Sequence, residues 1–173
     1  MSELIREGDL IFVRGPEWLR GVVWFYHVAL AIEARGEWSS IEAMAGGVTV
    51  YPMHHWGRRY VIARPKGATV EQGRIAADAA WARRGERYGY RQWGGMAWRT
   101  LLRLLGLEPA RLKSLAVACS PLAQDAWHKA GWHFTDYSDP LPDEIWHSVE
   151  WDVVGEYSAG EHHWWGRPPE GRR

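Results

Sequence analysis

Five short runs of β-forming residues crowd the chain up to Pro65, and they constrain its fold more than any other feature. Asp9-Leu10-Ile11-Phe12-Val13 follows Gly8, and His27 to Ile32 closes on Glu33-Ala34-Arg35-Gly36, which reads as a turn. Trp38 to Ala43 and Val48 to Tyr51 flank the Gly46-Gly47 turn, and Tyr60 to Arg64 runs into Pro65. Five strands at such close spacing predict an antiparallel, meandering sheet.

Helical signals then take over. Thr69 followed three positions later by Gln72 is a capping-box pattern, and an alanine-rich stretch runs on to Arg84 with Gly85 as the stop. Trp98, Leu101, Leu102 and Leu105 recur at helical spacing before Gly106, a stripe suited to core packing. Cys119-Ser120-Pro121-Leu122 opens a third helical stretch that reaches Ala130 and exits at Gly131. Serine caps a helix, proline fits its first turn and glycine fits its end. The lone cysteine of the chain therefore sits at a helix N-terminus. Asp139-Pro140-Leu141-Pro142-Asp143 starts a short helical turn toward His147, and Trp151-Asp152-Val153-Val154 adds an edge strand. Residues 1–157 are expected to form one domain, with 158–173 as a loosely held tail.

Composition narrows the function classes. Lysine plus arginine and aspartate plus glutamate each total 21, so the formal net charge is zero and the general basic character of a nucleic-acid binder is missing. One cysteine builds neither an internal disulfide nor a Cys-rich zinc site. The amino terminus is acidic, without a leader-like apolar stretch. Gly21 to Ile32, an uncharged apolar run of the first third, has 12 residues, short of the roughly 20 that cross a bilayer. A soluble protein without an integral membrane segment, cytoplasmic at synthesis, is expected. Thirteen tryptophans in 173 residues lead to the further expectation that many indoles lie near the surface.

A thiol attacks a carbonyl carbon well only as thiolate, and a helix N-terminus beside a histidine lowers its pKa. Cys119 meets the first condition; on its own it is either inert packing or chemistry. Among eight histidines His27 is the best partner, because it opens an apolar strand where a polar ring has no packing reason to be, and a strand end holds a general base rigidly. Glu42, set between Ile41 and Ala43, is the candidate to accept the far imidazole N–H and fix the tautomer.

Gly8-Asp9-Leu10-Ile11-Phe12, His27-Val28-Ala29-Leu30, Ile41-Glu42-Ala43 with Gly47-Val48 and Tyr51-Pro52 after it, and Cys119-Ser120-Pro121-Leu122 together resemble the circularly permuted branch of the NlpC/P60 papain-like superfamily, the YiiX/YebB type. The chain order of that branch is histidine, acid, cysteine. The resemblance spans residues 8 to 131. It implies an α+β papain-like fold, an antiparallel sheet packed against helices, and a cysteine peptidase or amidase. In it Cys119 is the nucleophile, His27 the base, Glu42 the residue that orients the base, and Tyr88, in Tyr88-Gly89-Tyr90, a tyrosine beside the site. It implies acyl transfer through a thioester, without cofactor or metal, on a peptide, a peptidoglycan fragment or another acyl substrate. Lipid or ester acyl transfer, thioester hydrolysis and a non-catalytic module of the same fold are the alternatives. Action on a cell wall would require release by phage lysis or a secretion system, and indoles would then stack on sugar rings.

Metal-dependent hydrolysis is a competing class. His54-His55, His128 with His133, and His162-His163 offer imidazoles, but no His-Glu-x-x-His or comparable spacing organises them.

Overall fold

A run such as Leu10-Ile11-Phe12-Val13 is apolar at every position, so a strand made from it has to be covered on both faces, and that demand sets its place in the fold. The computed structural model describes residues 5–15, 24–44, 46–53, 59–87, 105, 119–137 and 140–158. Within them the chain forms strands β1 (Leu10–Arg14), β2 (Phe25–Ala34), β3 (Glu37–Met44), β4 (Gly47–Pro52), β5 (Tyr60–Pro65) and β6 (Trp151–Tyr157). Three helices accompany them: α1 (Val70–Ala82), α2 (Cys119–Lys129) and α3 (Pro142–Trp146).

The six strands make one sheet, ordered β4-β3-β2-β1-β5-β6 and antiparallel at every pairing. This corrects the meander in one respect. β5 does not follow β4 in space; it pairs with β1, Leu10 lying opposite Ala63 and Val13 opposite Tyr60. The physical reason is the two-sided burial of β1, which a position between β2 and β5 satisfies. Leu10 and Phe12 face the helices, whereas Ile11 and Val13 face the opposite layer with Ala29, Ala31 and Ile62. β6 lies at the edge beside β5, as the sequence led one to expect.

The α1 and α2 readings hold in extent, although Ser120 lies inside α2 and does not cap it. Thr69 and Gln72 form both arms of the capping box, the Gln72 N–H donating to Thr69 Oγ1 at 3.2 Å and the Thr69 N–H to Gln72 Oε1 at 3.0 Å. α2 runs from Cys119 and turns out at Gly131, whose φ of 87° suits glycine. Trp98, Leu101 and Leu102 lie outside the described residues. Leu105 is described and is 64% exposed, so it does not pack in the core as its stripe implied.

Two contacts fasten the start of β1 to the helices. The backbone of Gly8 passes so close to Gly73 of α1 that a Cβ on Gly73 would lie 2.3 Å from the Glu7 carbonyl oxygen, which only glycine permits. Trp127 of α2, fully buried, donates its indole N–H to the Gly8 carbonyl at 3.0 Å. On the sheet itself Asp9 meets the Arg64 guanidinium at 2.9 Å, both groups almost wholly out of water. Burial pushes the Asp9 carboxyl up to about 6, against the pull of Arg64 and of the Arg6 backbone N–H.

Among the described residues the indoles lie partly near the surface, as expected. Of the seven described tryptophans only Trp24 is exposed; Trp38 and Trp127 are buried, and Trp81, Trp132, Trp146 and Trp151 are half-buried. Sheet and helices are joined by an aromatic cluster, in which Trp146 and Trp151 stack at 5.8 Å and each meets Phe12 edge-on. Among the described residues no helix is long and apolar enough to cross a membrane.

Candidate functional site

β2 and β3 run side by side from the turn at Arg35-Gly36, but their pairing ends at Leu30 opposite Ile41, although β2 reaches back to Phe25 and β3 on to Met44. Beyond that point the strands part. The Val28 N–H, which in a continued ladder would meet a β3 carbonyl, instead lies near enough to the sulfur of Cys119, at the start of α2, to favour its thiolate. The open end of the β2–β3 pair thus receives the helix N-terminus.

His27 is the third residue of β2 and not its first, since Phe25 and Tyr26 precede it in the strand. Its Nε2 lies 2.5 Å from Glu42 Oε2 across the gap. With Nε2 engaged there, the other ring nitrogen is the one left to interact with Cys119, whose negative charge favours the protonated ring. Asp143, in the first turn of α3, anchors the start of the strand by accepting the backbone N–H groups of Trp24 at 3.2 Å and Phe25 at 2.8 Å. Glu42 is completely buried, while its strand neighbours Ile41 and Ala43 turn to the helical side. That is the alternation the sequence implied.

Burial alone would push the Cys119 thiol up and the His27 imidazole down. The attraction between them and their shared hydrogen bond outweigh burial in both cases, so the Cys119 thiol lies below its ordinary value and the His27 imidazole above its own. The Val28 N–H and the Ser120 hydroxyl, 3.8 Å from the sulfur, pull the thiol down further, and Glu42 adds to the rise of His27. Both residues are nearly buried, 3% of Cys119 and 6% of His27 remaining exposed. α2 carries no acidic side chain in its first turn and has His128 and Lys129 in its last, so its dipole keeps its positive end at the sulfur. A thiolate–imidazolium pair with a carboxylate behind the imidazolium is chemistry suited to attack on carbonyl carbon.

The structure thus brings Cys119, His27 and Glu42 together; Tyr88 lies outside the described residues. Two partners were missed by sequence reasoning. Ser40 donates its hydroxyl to Glu42 Oε1 at 2.8 Å, and the backbone of Val28 meets the sulfur. Period-two alternation along β3, which sets Ser40 on the face of Glu42, was the available signal for the first. No local pattern marks the second.

Of the proposed metal histidines, His54, His55, His162 and His163 lie outside the described residues. His128 and His133 stand with ring centres 5.8 Å apart, and His133 Nε2 is 2.9 Å from Asp136. Among the described residues no group of three His, Cys, Asp or Glu is arranged to hold a metal ion.

No family model and no curated protein matches the chain. Among solved structures it is similar to the metalloprotein YiiX from Escherichia coli O157:H7, with a TM-score of 0.52 and 17% identity over 90% of this chain and 99% of that one. At that identity the likeness shows the fold: this chain has a YiiX-type α+β architecture.

Proposed function

We propose that the protein is a cysteine-nucleophile hydrolase, a peptidase or amidase working through a thioester, with a papain-like arrangement of the permuted NlpC/P60 type. The observation that carries this reading is the grouping of three side chains, His27 Nε2 meeting Glu42 Oε2 at 2.5 Å and the His27 ring close enough to the Cys119 sulfur, at the start of α2, to shift its ionisation. The Cys119 thiolate adds to the carbonyl carbon of an amide or ester, and the carbonyl π electrons move to oxygen. Backbone N–H groups of the first turn of α2, including that of Cys119, have no acceptor inside the helix and face that charge. His27 gives its proton to the leaving nitrogen or oxygen as the carbon–heteroatom bond breaks, which leaves the acyl group on sulfur. Neutral His27 then takes a proton from water as the water oxygen attacks the thioester, and the carboxylic acid departs. Glu42 holds the ring in register throughout.

A peptide or peptidoglycan fragment is the substrate class proposed first, with lipid or other ester acyl groups second. Trp146 and Trp151 pack on each other and on Phe12, whereas Trp24 is exposed and free of that cluster for stacking on sugar.

Incubation with peptide-amide and acyl-ester substrates, quenched in acid and read by intact mass, tests the proposal. The expected result is an acyl mass increment on Cys119 that decays to free enzyme and is absent in Cys119→Ala. Turnover undiminished in Cys119→Ala would overturn it.

YiiX is described as a metalloprotein. In this chain the three site residues do not fit such a centre, since Nε2 of His27 is spent on Glu42 and its other nitrogen on Cys119, so their donors meet each other and do not converge on one point. No step is routed through a metal.

A further inference from the structure

The third member of a catalytic chain works only if its own orientation is fixed. Glu42 is fully buried, and a buried carboxylate stays ionised only where hydrogen-bond donors replace the water it has lost. Its two oxygens are served from different elements: Oε2 by His27 of β2 and Oε1 by the hydroxyl of Ser40, two residues earlier on β3. Ser40 is itself fully buried, so no solvent competes for its proton. The hydroxyl has one proton and two acceptors in view. Glu42 Oε1 at 2.8 Å is much nearer than the Tyr51 carbonyl at 3.5 Å, and a carboxylate is the stronger acceptor.

We infer that Ser40 is a positioning residue of the site, which holds Glu42 so that its second oxygen faces His27 and thereby keeps the imidazolium beside the sulfur. The inference rests on the cysteine-nucleophile reading and extends the working chain to four side chains, Cys119, His27, Glu42 and Ser40. Among the described residues the groups named around Glu42 are His27 from β2, with Cys119 and Ser120 of α2 behind it, and Thr49 opposite it in β4. Of these only His27 and Cys119 titrate. Without the Ser40 hydroxyl, Oε1 loses this donor in a site closed to water, so the carboxylate is driven toward its neutral form or turns away. His27 then loses its counter-charge and releases its proton at lower pH, and Cys119 ionises at higher pH.

The test is the pH dependence of Cys119 alkylation by iodoacetamide in the wild type, Ser40→Ala, Ser40→Thr and His27→Ala, with thermal melting to establish folding. The expected result for Ser40→Ala is a low-pH limb moved up by about one unit, with about tenfold slower labelling at pH 6. Ser40→Thr, which keeps the hydroxyl, retains the wild-type limb. A Ser40→Ala profile that superimposes on the wild type while His27→Ala loses its low-pH labelling would overturn the role of Ser40 and leave the nucleophile reading intact. Wild-type labelling at low pH in His27→Ala would overturn that reading itself. If Ser40→Ala does not fold, Ser40→Gly decides: a limb moved up in the folded variant supports the hydroxyl role, and a limb superimposed on the wild type contradicts it.

Discussion

On the proposed cysteine-nucleophile mechanism, His27→Ala is expected to lower the rate of acyl transfer by about a thousandfold or more, measured in a single turnover at pH 7. Two functions leave together. The sulfur loses the cation that offsets its burial, so the nearly buried Cys119 returns to the neutral thiol, a poor nucleophile. The leaving group loses the acid that protonates it, and positioned acid–base groups each contribute about a hundredfold to ten-thousandfold. The Val28 N–H and the Ser120 hydroxyl stay beside the sulfur, but neither carries a charge. The remaining rate belongs to binding and to the helix N-terminus. A loss below about tenfold in the folded variant would show that the ring is not the base.

Asp9→Ala has the largest expected effect on stability. It leaves Arg64, 3% exposed, without the carboxylate that meets it at 2.9 Å, and stranding one charge of a buried pair costs about 3–5 kcal/mol. For a chain of this size that is about 10 °C in the thermal midpoint. The pH dependence of Asp9 follows from its raised carboxyl pKa. Between about 4 and 6 the folded protein binds this proton more tightly than the unfolded chain does, so its contribution to stability declines as pH rises through that window and is level above it. At neutral pH Asp9 is ionised and pairs with Arg64. A midpoint within about 2 °C of the wild type would contradict the buried pair.

Local features of the chain were legible because local physics sets them. Pro121 in the first turn and Gly131 at the exit mark α2 whatever it packs against, and Thr69 with Gln72 mark the start of α1. The parity of β3 separated Glu42 from Ile41 and Ala43. What the sequence did not disclose is pairing at long range. Arg64 finds Asp9 across 55 residues and Trp127 finds Gly8 across 119, and no periodicity records either contact. The position of β5 beside β1 is of the same kind, decided by which strand needs cover on both faces. The parting of β2 and β3 beyond Leu30 and Ile41 is likewise invisible in composition. Even so, it exposes the Val28 N–H to the sulfur and admits α2. Histidine, carboxylate and thiol could each be nominated from their neighbours in the chain; their meeting depends on where two strands stop pairing.

The charge state of Cys119 in the resting protein is the most direct measurement. Thiolate absorbance near 240 nm, titrated in the wild type against Cys119→Ala and His27→Ala, should rise to its plateau well below pH 8 in the wild type and only above pH 8 in His27→Ala. A wild-type thiol that ionises at or above pH 8, with no change on removing His27, would contradict the nucleophile.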